Sequence, residues 1–351
     1  MKRLMRILLW TVLMAGGGTA LADAPTPSAL TSATPEQHRR GPEQTFLTFP
    51  EWFLVFSPAE LADYMQGHPP DTFPFIAHIG QFWSSYASVR QSLREGHYPF
   101  NFGYHFMIVV IGTSTTVEYG LKSIYETLVG RLTALTLHGD LTAEDRYAAG
   151  VAQDYVEFIR IRPWYEYDFY GKLKGLWRET PCGGPHLLRK WERRYALTTE
   201  YAVKAVYGKF IMFGTHAAYD TPLPVTAIIV DHPPADTSTL PDFKVLQSLN
   251  DGAVLATVPR YDDFMRYADH LAAQGLQFRE IAGNQGAILV SVLAPQDWSA
   301  DVSGERVLFT QPILTRPGLQ RVVLTVPVTG LADALRAFDA RRLTLEHVFD
   351  Y

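Results

Sequence analysis

The chain has 351 residues, 47% of them hydrophobic and 19% charged, with a formal charge of −5. That composition supports packed cores over two domains and excludes wholesale disorder. Its acidic balance argues against a nucleic-acid partner. The single cysteine, Cys182, excludes an intrachain disulfide and a cysteine-based zinc site.

The N-terminus has a basic start (Lys2, Arg3, Arg6), a short apolar run from Ile7 to Ala15 and an Ala20-Leu21-Ala22 site. Those parts in that order make a secretory signal peptide over 1–22. The mature chain is therefore expected to be exported to the periplasm. The alternative is a chain anchored in the inner membrane by an uncleaved N-terminal segment. Cleavage removes three basic residues and no acid, taking the charge from −5 to −8. Residues 23–44, rich in Pro, Ser, Thr and Ala, read as a flexible lead-in.

A helical domain is expected over 45–220. Thr48 with Pro50 and Glu51, Ser57 with Pro58 and Glu60, and Thr142 with Glu144 and Asp145 all have the order of helix starts. Longer helices are expected at about 73–94, 104–137, 142–162 and 186–218, the third stopped by Pro163. In the second, Val110, Val117, Leu121, Ile124, Leu128 and Leu135 fall on one stripe. That stripe is read as buried, and the helix as the centre of the domain. Its most apolar run, 106–117, is short of the ~20 residues a membrane span needs.

Two decapeptides stand out: TVEYGLKSIY at 116–125 and TTEYAVKAVY at 198–207. Five positions are identical, and the offset is 82 residues. They point to an internal duplication, with about 75–137 repeated as 158–218 around an approximate two-fold axis. Each copy carries Glu and Lys four residues apart, followed by Tyr: Glu118, Lys122 and Tyr125, then Glu200, Lys204 and Tyr207. As surface pairs these would stabilise a helix by a few tenths of a kcal/mol. They also flank the apolar stripes. Glu118 facing Lys204 and Glu200 facing Lys122 would form a polar cluster that fixes register or lines a ligand pocket.

A Pro-rich linker is expected over 221–245, containing one strand, VTAIIVD. Residues 246–351 then alternate strand and helix twice, and Thr257-Val258-Pro259 matches Thr325-Val326-Pro327. That pattern predicts a ferredoxin-like (βαβ-βαβ) sandwich, with RVLFTQPIL as an extra edge strand and two strands meeting at Asn284-Gln285-Gly286. The fold class is α+β.

No G-x-S-x-G, H-E-x-x-H, Walker loop or helix-opening G-x-G-x-x-G is present, and no cofactor is implied. His97 and His105 flank an aromatic turn but lack the i,i+4 partners that would make a metal site specific. Trp164, Tyr165, Tyr167, Phe169 and Tyr170 are core, or else a patch for a partner or a membrane surface. The first expectation for function is a non-catalytic cell-envelope protein that binds a protein or small-molecule partner. The second is an enzyme with an acid/base site between the Glu118 and Glu200 helices. The third is a protein in contact with a membrane surface through its aromatic segment.

Overall fold

The computed structural model describes residues 32–350 apart from 138, 219–222, 299–305 and 342. The expected signal segment, 1–22, lies outside the described residues. The fold is α+β, with a helical layer and two four-stranded antiparallel sheets. Among the described residues no helix is long and apolar enough to cross a membrane.

Helix α1 (Gln44–Met65) runs unbroken through Pro50 and Pro58. Thr48 and Ser57, expected as caps, are therefore interior positions. Thr48 Oγ1 bonds back to the Gln44 and Thr45 carbonyls. With Phe46, Leu47, Phe49, Phe53 and Phe56 all buried, α1 is the central helix. It is followed by α2 (Phe75–Glu95) and α3 (Phe102–Tyr125), the latter capped by Asn101 accepting from Tyr104 N–H. A π-helical segment (Glu126–Gly130) joins α3 to the short α4 (Arg131–Ala134). Then come α5 (Ala143–Ile159), α6 (Phe169–Glu179) and α7 (Leu187–Ala218). Thr142 and Asp145 close a capping box at the start of α5.

The stripe expected to be buried on the second helix is not. Val110, Val117, Leu121, Ile124, Leu128 and Leu135 are 47–73% exposed. The polar side of that helix faces the protein instead, because its charges find partners there. In the aromatic segment 164–170, Tyr167 and Phe169 are buried, Trp164 and Tyr165 are partly buried, and Tyr170 is exposed.

The strands do not form the single ferredoxin-like sheet. They divide into two sheets, β2-β3-β1-β4 and β6-β7-β5-β8. The first holds β1 (Val225–Val230), β2 (Lys244–Ser248), β3 (Val254–Pro259) and, after helix α8 (Asp262–Ala273), β4 (Phe278–Ile281). The second holds β5 (Ala287–Pro295), β6 (Arg306–Pro312), β7 (Leu319–Pro327) and, after α9 (Leu331–Phe338), β8 (Thr344–Val348). Strand β1, assigned above to the linker, is a central strand. Registers match between sheets: Val225 faces Pro259 as Ala287 faces Pro327, and bulges fall at Ile229/Val230 and Ser291/Val292. The chain changes sheet through Ala282 (φ 50°) and Gly283 (φ 83°), just before the expected Asn284 turn. Both helices and both sheets share one core that includes Phe264, Leu271, Phe278, Leu335 and Phe338.

The outer face of the second sheet carries the helical layer. Leu289, Val323 and Phe349 pack with Phe49, Phe53 and Phe56 of α1. Thr45 Oγ1 accepts the Leu289 N–H at 3.0 Å. The lead-in, expected to be flexible, is tied down from Ser32 onward: Thr34 is buried and Arg40 N–H donates to the Ala282 carbonyl at 2.8 Å.

Phe49 is fully buried between Phe309 and Phe349, with ring centroids 5.0 and 5.8 Å away. Phe49→Ala should therefore lower the denaturant-unfolding free energy by about 3–5 kcal/mol. A loss under about 1 kcal/mol would show that the helical layer is not seated on this sheet.

Candidate functional site

Helices α3 and α7 lie side by side in opposite directions, joined by side chains from their inner faces. Lys204 Nζ is 2.9 Å from Glu118 Oε1, and Lys122 Nζ is 2.9 Å from Glu200 Oε1. The i,i+4 contacts within each helix are as short, 3.2 Å for Lys122–Glu118 and 2.9 Å for Lys204–Glu200. Four of the six residues singled out in the sequence therefore meet in one square of alternating charge. Their side chains are 19–39% exposed. Tyr125 stands further along and donates to Glu192 Oε1 at 2.8 Å. Tyr207 is outside the cluster, stacked on Trp164 at 5.6 Å.

The square is one end of a longer zipper. Arg193 forks onto Glu126 at 2.9 and 3.1 Å. Arg189 donates to the Gly130 carbonyl at 3.1 Å and to Asp145 Oδ1 at 2.8 Å. His186 Nδ1 is 2.6 Å from the Thr136 carbonyl. Beneath it, Arg194 reaches Glu144 Oε1 at 2.9 Å and the Thr180 hydroxyl at 2.7 Å. Arg189, Lys190, Arg193 and Arg194 are all buried, and so are Glu126, Glu144, Asp145 and Glu192, four charges against four. The arginine cluster was not singled out in the sequence. Its signal was present: residues 189, 190, 192, 193 and 194 crowd charge onto the helix sides that 188, 191 and 195 leave free.

The electrostatics of the square run against acid/base chemistry. Burial raises the pKa of Glu200, but Lys122 and Lys204 outweigh it and hold the carboxyl well below the usual range. Glu118 is held low in the same way by Lys204 and Lys122. Burial pulls Lys204 down, and Glu118 with Glu200 outweighs it, leaving the ammonium well above its ordinary value. A general acid or base needs a pKa near the working pH. These groups have moved away from it.

Two other buried polar groups tie the layers together. Arg321 bonds Glu346 at 2.6 and 2.7 Å and Glu60 at 3.1 Å. His78 lies 3.6 Å from Glu60 through Nε2 and 2.9 Å from Ser57 Oγ through Nδ1. Ser57, His78 and Glu60 have the composition of a hydrolytic triad. Ser57 is only 1% exposed, though, and burial with the nearby Arg321 pulls His78 down to about 4. Glu51, expected at a helix start, lies mid-helix in α1. Burial pushes it up to about 7, with a Tyr104 hydrogen bond pulling the other way. Two open grooves lie elsewhere. One of ≈ 630 Å³ is bordered by Tyr147, Asp154, Tyr167 and Lys172, and one of ≈ 410 Å³ by Gln285, Arg306 and Thr325. His105 bonds Tyr86 and stacks on Phe100. Among the described residues no group of three or more His, Cys, Asp or Glu is placed to hold a metal ion.

The half-exposed square should show coupling between exposed and buried pairs. A double-mutant cycle on Glu118→Ala and Lys204→Ala is expected to give about 1 kcal/mol at pH 7, after allowance for solvent screening. The folded-state pKa of Glu118 is depressed, so this stability is present above the ordinary value of 4.5 and is lost as pH falls through the folded value. Additive, pH-independent effects in denaturant unfolding would contradict the pairing.

Neither a protein-family model, nor a curated protein, nor a solved structure matches the chain.

Proposed function

We propose that this is an exported, non-catalytic cell-envelope protein that works by association, through the outer face of its helical layer. The observation that carries this reading is the inversion of that layer. From Phe102 to Leu135, Arg131 is the one charged residue at an exposed position, while Glu118, Lys122 and Glu126 turn inward. An exposed apolar face of this extent on a folded protein marks a contact surface. The charge square then serves as an internal strut, consistent with its self-neutralised charges and displaced pKa values. Export rests on the N-terminal sequence alone.

We also propose that the helical layer arose by duplication, on an alignment that is not a constant offset of 82. Phe73–Phe75 and Tyr167–Phe169 have ring centroids 4.8 Å apart in both cases. Phe75 N–H reaches the Phe73 carbonyl at 2.9 Å, and Phe169 N–H reaches Tyr167 at 2.8 Å. Tyr119 packs on Phe75 as Tyr201 does on Phe169. These pairs align α1-α2-α3 with α5-α6-α7, and Phe75 with Phe169 instead of Phe158. Helix α2 has 21 residues and α6 has 11, so one constant offset of 82 does not hold upstream of the decapeptides.

The association reading is tested by size-exclusion chromatography with light scattering in detergent-free buffer. The wild-type chain should self-associate or require detergent, and Leu121→Glu with Val206→Glu should run as a monomer. A wild-type chain that is monomeric and monodisperse at tens of micromolar, and that also fails to bind phospholipid vesicles, would refute it.

A further inference from the structure

The outer face has two ridges. On α3, the π segment and α4, Val117, Leu121, Ile124, Leu128, Leu132 and Leu135 are 56–73% exposed. On α7, Leu188, Trp191, Tyr195, Val203, Val206 and Phe210 are 48–72% exposed. Lys209 is the one charged residue at an exposed position from Leu187 to Met212. The ridges belong to the two antiparallel helices joined by the ion zipper, so they run alongside each other. Together they form an apolar face of twelve exposed side chains, larger than the largest patch on an ordinary monomer, about 300–600 Å².

Resting on the association reading above, we infer that the occupant of this face is a phospholipid bilayer, with the two helices lying in the membrane plane. Three features choose lipid over a second protein surface. A protein interface carries about one hydrogen bond per 100–200 Å², and the exposed hydroxyls of these helices are confined to Thr113, Ser114, Thr127, Tyr195, Thr199 and Tyr207. That of Thr199 is turned back onto its own helix, donating to the Tyr195 carbonyl at 2.9 Å. The second feature is charge. Every acid on the two helices faces inward or is partly covered, and the two exposed charges, Arg131 and Lys209, are both cations. Long basic side chains at the edge of an apolar face reach phosphate headgroups while their stems stay in the apolar layer.

The third feature is the placement of charge behind the face. Ionisable groups near lipid are retained where they face the protein interior and pair with each other, as Glu118, Lys122, Glu200 and Lys204 do. The stretch from Phe102 to Leu135 spans about 50 Å as helix, longer than the ~30 Å hydrocarbon core, and no described helix is apolar enough to cross it. A face of this length therefore lies along the membrane. Trp191 and Tyr195, residue types suited to the headgroup boundary, stand exposed on the α7 ridge.

The test is flotation of the exported full chain with vesicles of phosphatidylethanolamine and phosphatidylglycerol, 3:1. Wild-type protein should float. Leu121→Glu with Val206→Glu should reduce the vesicle-bound fraction at least tenfold while keeping the wild-type circular dichroism and unfolding midpoint. Val245→Glu, an exposed site on strand β2 in the other layer, should float like wild type. Vesicle binding unchanged by the double variant overturns the inference. So does a wild-type chain that stays with the aqueous fraction as a dimer which the same variant dissociates, an outcome that leaves the association reading standing. A wild-type monomer that neither floats nor self-associates removes both.

Discussion

Glu118, Lys122, Glu200 and Lys204 occupy one square between two antiparallel helices, and the orientation of the helical layer depends on that contact. Each carboxylate has two ammonium groups within 3.2 Å. Rotating either helix to bury its apolar stripe would strip these charges of their partners and drag Arg189, Arg193 and Arg194 away from Asp145, Glu126 and Glu144. Leaving a buried charge unpaired costs about 3–5 kcal/mol, and Glu144 and Asp145 of α5 would be left so. Exposing a leucine to water costs about 1.5–3 kcal/mol, so over the twelve exposed apolar residues of the two ridges water would favour the opposite orientation. Where the surrounding medium is itself apolar that cost vanishes, and the charges set which side of α3 and α7 faces inward.

The same constraint explains what the sequence revealed and what it hid. The periodicity of 104–137 and 186–218 locates α3 and α7 well, and the decapeptides lead to four residues that meet in space. Periodicity gives two faces, however, and not which of them is inside. In water the apolar face goes in, so periodicity alone puts Val117, Leu121 and Ile124 in the core. The hint that this was reversed lay in the charged run of 189–194, too dense for one solvated stripe. Thr48 and Ser57 looked like caps because each precedes a proline and a glutamate. The apolar residues around them bury α1 on most sides, and the helix passes through both prolines.

In the sheet layer the repeated Thr-Val-Pro marks the ends of β3 and β7, two equivalent strands. It does not reveal that each unit also includes the strand and hairpin before it. Strand β1 is legible as VTAIIVD, but the proline-rich residues that follow it read as a linker and hide that it belongs to the sheet layer. The split into two sheets turns on positive-φ geometry at Ala282, a conformation an alanine does not advertise. The second sheet gives α1 its seat through Leu289, Val323 and Phe349, so the helical layer is held from behind and its outer face is left free.

Depth measurement by electron paramagnetic resonance tests the central claim most directly. Nitroxide labels would be placed singly at Leu121, at Val206 and, as a control, at Val245, in a Cys182→Ser background and in the presence of phospholipid vesicles. The labels at Leu121 and Val206 should be relaxed by oxygen and shielded from a water-soluble nickel chelate, while the Val245 label should show the reverse. Equal access of the nickel chelate to all three positions would contradict a lipid-facing helical layer.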